Sequence, residues 1–335
     1  MSGAGLGSND RADMGCSMQR PHGFPQVDWD SKYIRELIAA ALAEDVGTGD
    51  VSVAATITAD ARGRAHILAK QDLVCAGLPL VERVFLALDP EMNFERRAAE
   101  GHSVQKDSDV LRLSGKASAI LSGERTALNF LARLSGIATI THEFVERIAG
   151  TSAKIRDTRK TTPGMRLLEK YAVTIGGGTN HRIGLFDAIL LKENHITLAG
   201  GVKAALDKAH SFASLRMDQR TMTAYEAVGG MPLETEANSL PIQIEVRNES
   251  ELREALSAGA ESVLLDNMSP DEARHCVRLI RKVRPDCIVE ISGGVTLANV
   301  RAYAETGADY LSSGALTHSA PHADFSLLVD MLQGK

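Results

Sequence analysis

Between Lys154 and Lys192 the chain carries eight basic residues, Lys154, Arg156, Arg159, Lys160, Arg166, Lys170, Arg182 and Lys192, against the acidic Asp157, Glu169 and Asp187. This is a local excess of positive charge in a chain whose net charge is −6. Arginine grips a carboxylate or phosphate through a planar fork and lysine acts as a point charge, so the pattern predicts a polyanionic small molecule as ligand. Nucleic acid fits poorly, because the net charge is negative, aromatic residues make up only 4% of the chain, and no basic stripe is interleaved with them. Two glycine turns, "EISGGV" and "YLSSGA", supply a second signal. There Gly293, Gly294 and Gly314 let backbone N–H groups approach an anion closely. Glu245 and Asp266 form a pair of carboxylates that could hold ribose hydroxyls or a magnesium ion carried by a phosphate substrate. Such an ion normally takes one or two carboxylates plus phosphate oxygens.

The elements that must position these residues follow a rhythm. After Lys154 the strand-like runs "KIRDT", "DAILLK", "IQIEV", "SVLLD", "IVEIS" and "DYLSSG" alternate with helical patterns, which predicts parallel strands. Helix starts are readable: Ser269, Pro270 and Glu272 form a capping box, and Asn248 with Glu251 repeats the device more weakly. The strand ends at Glu245, Asp266, Ser292 and Ser313 lie 21, 26 and 21 residues apart, about one βα unit each. A barrel is therefore the expected closure and a doubly wound open sheet the alternative. In a barrel the side chains closing each strand converge on one face. Here these are Asp157-Thr158-Arg159-Lys160, Lys192, Glu245, Asp266, Ser292-Gly293-Gly294 and Ser313-Gly314-Ala315. Any one of them alone could be a solvated loop residue, but a set closing consecutive strands reads as a site. The glycine turns fall on the last two strands, where barrels often bind phosphate. The glycines of "TIGGGTNHRIGLFD" read as conformational, turning the chain so that His181 and Arg182 face the same anion.

Before this region, Ile34, Leu37, Ile38, Ala41 and Leu42 mark an amphipathic helix from Ser31 to Asp45. Short runs such as "AHILA", "LVCAGL" and "VLRLSG", with the helical pattern "LPLVERVFLAL" among them, predict a small α+β domain. A long helical stripe runs from about Ser122 to Ile148, with Gly136 read as a bend and as the domain junction. Segment 207–240 breaks the βα rhythm and reads as a polar insertion.

Hydrophobic residues make up 44% of the chain, and no apolar run approaches the roughly 18 residues of a membrane span. Residues 1–30 read as a disordered leader without a secretory apolar region, so a cytoplasmic location is expected by default. Cys16, Cys75, Cys276 and Cys287 lack metal-site spacing and are expected to be free thiols. His318 and His322 are left out of the site, because Pro321 argues against a helix placing both on one face.

The motifs "SGERTALNFLARLSGIAT", "KIRDTRKTTPGMRLLEKYAVTIGGGTNHRIGLFDAILLKENH", "LLDN", "EISGGV" and "LSSGALTHS", in this order, closely resemble the quinolinate phosphoribosyltransferase family, also called nicotinate-nucleotide pyrophosphorylase (carboxylating). The resemblance spans about Ser31 to Leu332. It implies a small α/β sandwich domain over 31–135 and an incomplete, TIM-like α/β barrel over 136–318. Residues 319–335 would pack back on the first domain. The implied activity converts quinolinate and phosphoribosyl pyrophosphate, with magnesium, into nicotinate mononucleotide, carbon dioxide and pyrophosphate in NAD biosynthesis. The implied unit is a homodimer in which Arg125 of "ERTALN" reaches the partner subunit's site. Thr158, Arg159, Lys160, His181, Arg182 and Lys192 would surround the quinolinate carboxylates and the pyrophosphate. Glu245 and Asp266 would hold the ribose and the magnesium-bound substrate, and Ser292, Gly293, Gly294, Ser313, Gly314 and Ala315 the ribose phosphate. Lys160, Lys192, Glu245 and Asp266 would carry the catalysis. The chain departs from the family pattern at Arg247, where Asp is usual, at Gly49-Asp50-Val51-Ser52, and in the length of segment 207–240.

Overall fold

The computed structural model describes residues 27–213 and 240–330. Nearly all of the expected leader, and most of the expected insertion, lie outside these residues. The exceptions are residues 27–30 of the leader and, in the insertion, Leu240 and Asp207 to Ala213, which continues the helix Val202–Ala213.

The first helix, Lys32–Val46, starts where the Ser31 hydroxyl accepts the Ile34 N–H, and it buries Ile34 and Ile38. Strands β1 (Arg62–Ala69), β2 (Leu73–Val74), β3 (Asn93–Arg96), β4 (Ser103–Val104) and β5 (Asp109–Lys116) follow, with the helix Leu78–Leu88 between β2 and β3. Along β1 the residues Gly63, Ala65, Ile67 and Ala69 are buried while Arg62 and Arg64 are exposed, the two-residue period of a half-covered strand. The strand β3 is short, polar and largely exposed, so no alternation marked it in the sequence.

Behind this sheet runs one unbroken helix of 31 residues, Ala117–Arg147, whose buried face includes Leu128, Leu131, Leu134, Ile137 and Phe144. The helix passes through Gly136 without a break. A Cβ at Gly136 would lie 1.9 Å from the carbonyl oxygen of Pro321, so the glycine permits backbone contact with the returning C-terminal segment.

The second half is a six-stranded parallel sheet of β6 (Lys154–Arg156), β7 (Ile189–Leu191), β8 (Ile242–Val246), β9 (Ser262–Asp266), β10 (Ile288–Ser292) and β11 (Tyr310–Ser312). Its order is β6-β11-β10-β9-β8-β7. Consecutive strands are neighbours from β7 to β11, and the last strand pairs with the first through Tyr310↔Lys154 and Ser312↔Arg156. A doubly wound sheet would reverse its strand order, and this one does not. On the other side of β6, Thr179 contributes a single parallel bridge to Arg156. The circle stays open between Thr179 and β7, giving a barrel with a gap. The final strand, β12 (Phe325–Asp330), leaves this domain and pairs antiparallel with β1 in the four-stranded sheet β12-β1-β5-β3. Both halves share the helix Ala117–Arg147, which packs against β1, β5 and β12 on one side and the helix Arg166–Ile175 on the other.

Replacing Gly136 by alanine gains about 1 kcal/mol of helix propensity. Against this, relieving a contact with backbone costs more, since overpacking a rigid site typically costs about 1–3 kcal/mol. Gly136→Ala is therefore expected to lower stability by up to about 2 kcal/mol in urea unfolding. A gain would mean that the Pro321 segment yields freely.

Candidate active site

The carboxyl ends of the parallel strands open into a cleft of about 470 Å³. Thr158, Arg159, Lys160, His181, Arg182, Lys192, Glu245, Asp266, Ser292, Gly293, Gly294, Ser313, Gly314 and Ala315 all line it. Arg125 does not; it is exposed on the helix Ala117–Arg147, outside the cleft of its own chain. A second concavity of similar volume flanks β7 and is lined mainly by apolar groups such as Leu191, Leu198 and Phe212. Its polar side chains are His195, which accepts the Lys192 N–H, and Lys208, which donates to the Ala199 carbonyl.

Within the main cleft the cations are held ready. The Nε atoms of Arg159 and Arg182 are buried and meet no hydrogen-bond partner. Burial, then the nearby Arg159 charge, lowers the Arg182 pKa below its ordinary value. Two guanidinium groups that repel each other and keep buried donors unmatched are chemically suited to an anion with more than one charge. The other basic residues of the sequence cluster do not present their charge to the cleft. Lys170 pairs with Asp157, Arg156 pairs with Glu290 and lies over the Tyr310 ring, and Arg166 donates to Thr161 and to the Ile183 carbonyl. Four of the eight basic residues thus line the cleft, three are tied up internally, and Lys154 is exposed away from it.

The support beneath the cations is buried and charged. Lys170 Nζ lies 2.5 Å from Asp157 Oδ1, and both side chains are fully buried. The same Asp157 oxygen accepts the His181 N–H at 2.8 Å, and Lys170 donates to the His181 carbonyl at 2.9 Å. Burial pushes the Asp157 carboxyl up to about 6 even though Lys170 pulls it down. The glycines before His181 serve this placement in two ways. Gly177 adopts φ +89°, and a Cβ on Gly176 would meet the Ala138 carbonyl oxygen at 2.3 Å, so the turn needs both a left-handed residue and contact with the long helix.

His181 itself is fully engaged. Gln243 Nε2 donates to the buried carboxylate of Glu290 at 3.0 Å, which leaves Gln243 Oε1 to accept from His181 Nε2 at 3.1 Å. The other ring nitrogen, Nδ1, accepts the Arg182 N–H at 2.7 Å. The ring is therefore the neutral Nε2–H tautomer, and burial lowers its pKa despite the neighbouring Glu290. The positive charge lining the cleft is that of Arg159, Lys160, Arg182 and Lys192, while His181 lines it as a neutral, hydrogen-bonded ring. Glu290, which the sequence reading passed over as a strand residue, forms the buried floor; it accepts from Arg156, Gln243 and Ser312.

On the opposite wall, Glu245 pairs with Lys192 at 2.9 Å and Asp266 accepts from Asn267 Nδ2 at 2.8 Å. Among the described residues no cluster of three or more His, Cys, Asp or Glu side chains could hold a metal. A Cβ on Gly293 would meet Asn267 Oδ1 at 2.2 Å, so its glycine is obligatory, with φ +93°. The two glycine turns are joined by the Ser313 hydroxyl, which donates to the Val295 carbonyl at 2.8 Å. His318, discarded in the sequence reading, also lines the cleft. Its position four residues after Gly314, on the short helix Ala315–His318, was the available signal.

Residues 50–135 match the N-terminal domain of quinolinate phosphoribosyl transferase, and residues 137–328 match its C-terminal domain. The chain belongs to the quinolinate phosphoribosyl transferase family. It is 41% identical over 288 residues to a probable nicotinate-nucleotide pyrophosphorylase [carboxylating] of Synechocystis sp., covering 86% of this chain and 90% of that one. It is 38% identical to the protein of the same description in Bacillus subtilis, covering 89% and 94%. The solved nicotinate-nucleotide pyrophosphorylase of Francisella tularensis superposes with a TM-score of 0.77 at 35% identity, covering 89% of this chain and 96% of that one. The quinolinate phosphoribosyl transferase fold is thus a small sheet domain joined to a parallel-sheet domain. Among the described residues no helix is long and apolar enough to cross a membrane. Cys75, Cys276 and Cys287 are free and buried, and Cys16 lies outside the described residues.

The tautomer of His181 is directly measurable. Nitrogen-15 spectra of the free protein should show Nε2–H at pH 7, with a midpoint below the ordinary value of about 6.5. The folded state then binds this proton more weakly than the unfolded chain. His181 thus supports stability fully above about pH 6.5 and loses that support as the pH falls further. A doubly protonated ring at pH 7 would refute this hydrogen-bond assignment.

Proposed function

We propose that the protein is a quinolinate phosphoribosyltransferase, transferring the phosphoribosyl group to quinolinate with decarboxylation to give nicotinate mononucleotide, carbon dioxide and pyrophosphate. The observation that carries this reading is the neighbouring pair Arg159 and Arg182 in the cleft, each with a buried Nε that meets no partner, although Arg182 Nη1 donates to the Ala188 carbonyl at 2.9 Å. Quinolinate bears two neighbouring carboxylates, and each would find one guanidinium fork. Lys160 and Lys192 stand by the pyrophosphate, Glu245 and Asp266 face the ribose, and the turns of Ser292 to Gly294 and Ser313 to Ala315 receive its phosphate. These glycine turns bring backbone to the anion without an intervening Cβ.

Catalysis in this arrangement is positional and electrostatic. The pyridine nitrogen attacks the anomeric carbon as the bond to pyrophosphate breaks, and the bonding electron pair leaves with pyrophosphate. Lys160 and Lys192 stabilise that departing charge; a placed group of this kind contributes about 3–4 kcal/mol. The ring nitrogen is then positive, so the adjacent carboxylate leaves as carbon dioxide, and the carbon it vacates takes up a proton. Magnesium arriving with phosphoribosyl pyrophosphate would neutralise phosphate charge. Two carboxylates without a third ligand suit an ion that completes its shell with substrate oxygens. Arg125, exposed on the long helix, completes the site of a second copy in a homodimer under the same reading. A cytoplasmic location is part of the same proposal.

The test incubates the protein with quinolinate, phosphoribosyl pyrophosphate and magnesium while following carbon dioxide and nicotinate mononucleotide. Both products should appear in equal amounts, and consumption of nicotinate with quinolinate ignored would overturn the assignment. Arg182→Gln should raise the KM for quinolinate by roughly tenfold or more, the weight of one charge-assisted fork, and leave that for phosphoribosyl pyrophosphate nearly unchanged. Equal losses for both substrates would contradict the division of roles.

A further inference from the structure

Arg133 lies on the helix Ala117–Arg147 and is not part of the cleft lining. Its guanidinium nevertheless touches both halves of the site's support. Nε and Nη2 donate to Glu169 Oε1 at 3.0 and 2.7 Å, Nη2 also donates to the Thr317 carbonyl at 2.5 Å, and Nη1 donates to the Ala320 carbonyl at 3.3 Å. Glu169 is fully buried, and its second oxygen accepts the Thr162 N–H at 3.1 Å. From the other side, the Thr317 hydroxyl donates to the Lys160 carbonyl at 2.8 Å.

These contacts close a ring that passes from Arg133 through Glu169 and Thr162 to Lys160, then through Thr317 back to Arg133. The ring encloses the root of the loop bearing Arg159 and Lys160 and the root of the turn bearing Gly314 and Ala315. Lys160 and Gly314 are themselves in contact range, since a Cβ on Gly314 would sit 3.0 Å from Lys160 Cδ. We infer that Arg133 is a positioning residue that fixes the cation loop and the phosphate turn relative to each other. It works through backbone carbonyls and a buried carboxylate, and touches no substrate. A planar group with five donors satisfies a carboxylate and two carbonyls at once, whereas lysine offers a single point of donation and leaves part of the ring unsatisfied.

The inference rests on the proposed function only for the ligands these loops receive. A purely structural ion pair would join the two domains and influence unfolding temperature alone. The test compares the full-length protein with Arg133→Lys, Thr317→Val and the double variant. It measures hydrogen exchange in the free protein over residues 158–165 and 313–320, then kcat and KM for both substrates well below the unfolding temperature. Arg133→Lys should speed exchange in both loops by about tenfold or more. It should lower kcat/KM for both substrates by about 100-fold, the effect of an ångström of misplacement. Thr317→Val leaves the Arg133–Glu169 pair intact and should show the same two-loop effect to a smaller degree, so it carries the test if Arg133→Lys folds poorly. The double variant should be little worse than Arg133→Lys, because both break one ring. Wild-type exchange and kinetics with only a lowered unfolding temperature would overturn the inference, as would losses that simply multiply. Should the wild type ignore quinolinate, the proposed function falls while the exchange rates still decide the role of Arg133.

Discussion

Arg159 and Arg182 repel each other, and the fold beneath them holds them together at one cleft. Side chains left to themselves would swing apart into water, where like charges at a surface are screened within about 8–10 Å. Here the backbone on either side is held by groups that cannot move. Asp157 and Lys170 lock the His181 peptide from below, and Glu169 with Arg133 holds the loop after Lys160 from the side. Such buried pairs add little net stability compared with packed apolar groups, but removing one partner leaves an uncompensated charge and costs about 3–5 kcal/mol. The site's geometry is thereby bound to the integrity of the fold.

The same constraint explains why the support of the site reaches across the two halves of the molecule. The helix Ala117–Arg147 is a wall of the small domain through Leu128, Leu131 and Leu134 and carries Arg133 into the barrel's loops. Gly136 and Gly176 allow other backbone to approach this helix within contact distance. A gap in the barrel between Thr179 and β7 gives the His181–Asp187 loop room to fold. Asp187 then accepts the N–H groups of Ile183 and Gly184 at 2.7 and 2.9 Å, which closes the loop on itself.

The architecture was largely legible because strand ends recur about one βα unit apart and each closes on a polar or glycine residue. Capping at Ser269 and Asn248 was readable for the same local reason: the capping side chain and its partner lie three residues apart. What failed to show was long-range. Nothing in the sequence spacing says that Lys170 and Asp157 are a buried pair, that Gln243 fixes the tautomer of His181, or that Gly136 faces a carbonyl 185 positions later. Charge counting also overstated the basin, since a buried arginine and a substrate-facing one contribute equally to composition. His318 was set aside on an argument about helix periodicity that is sound for metal ligands and irrelevant to a turn packed on Gly314.

The central claim is that two juxtaposed guanidinium groups select a dianion. Titration calorimetry of the free protein with quinolinate and with nicotinate, which lacks the second carboxylate, tests it most directly. A hydrogen bond to a charged group is worth roughly 1.5–3 kcal/mol, so quinolinate should bind about 10- to 150-fold more tightly. Equal affinity for the two pyridines would contradict the account.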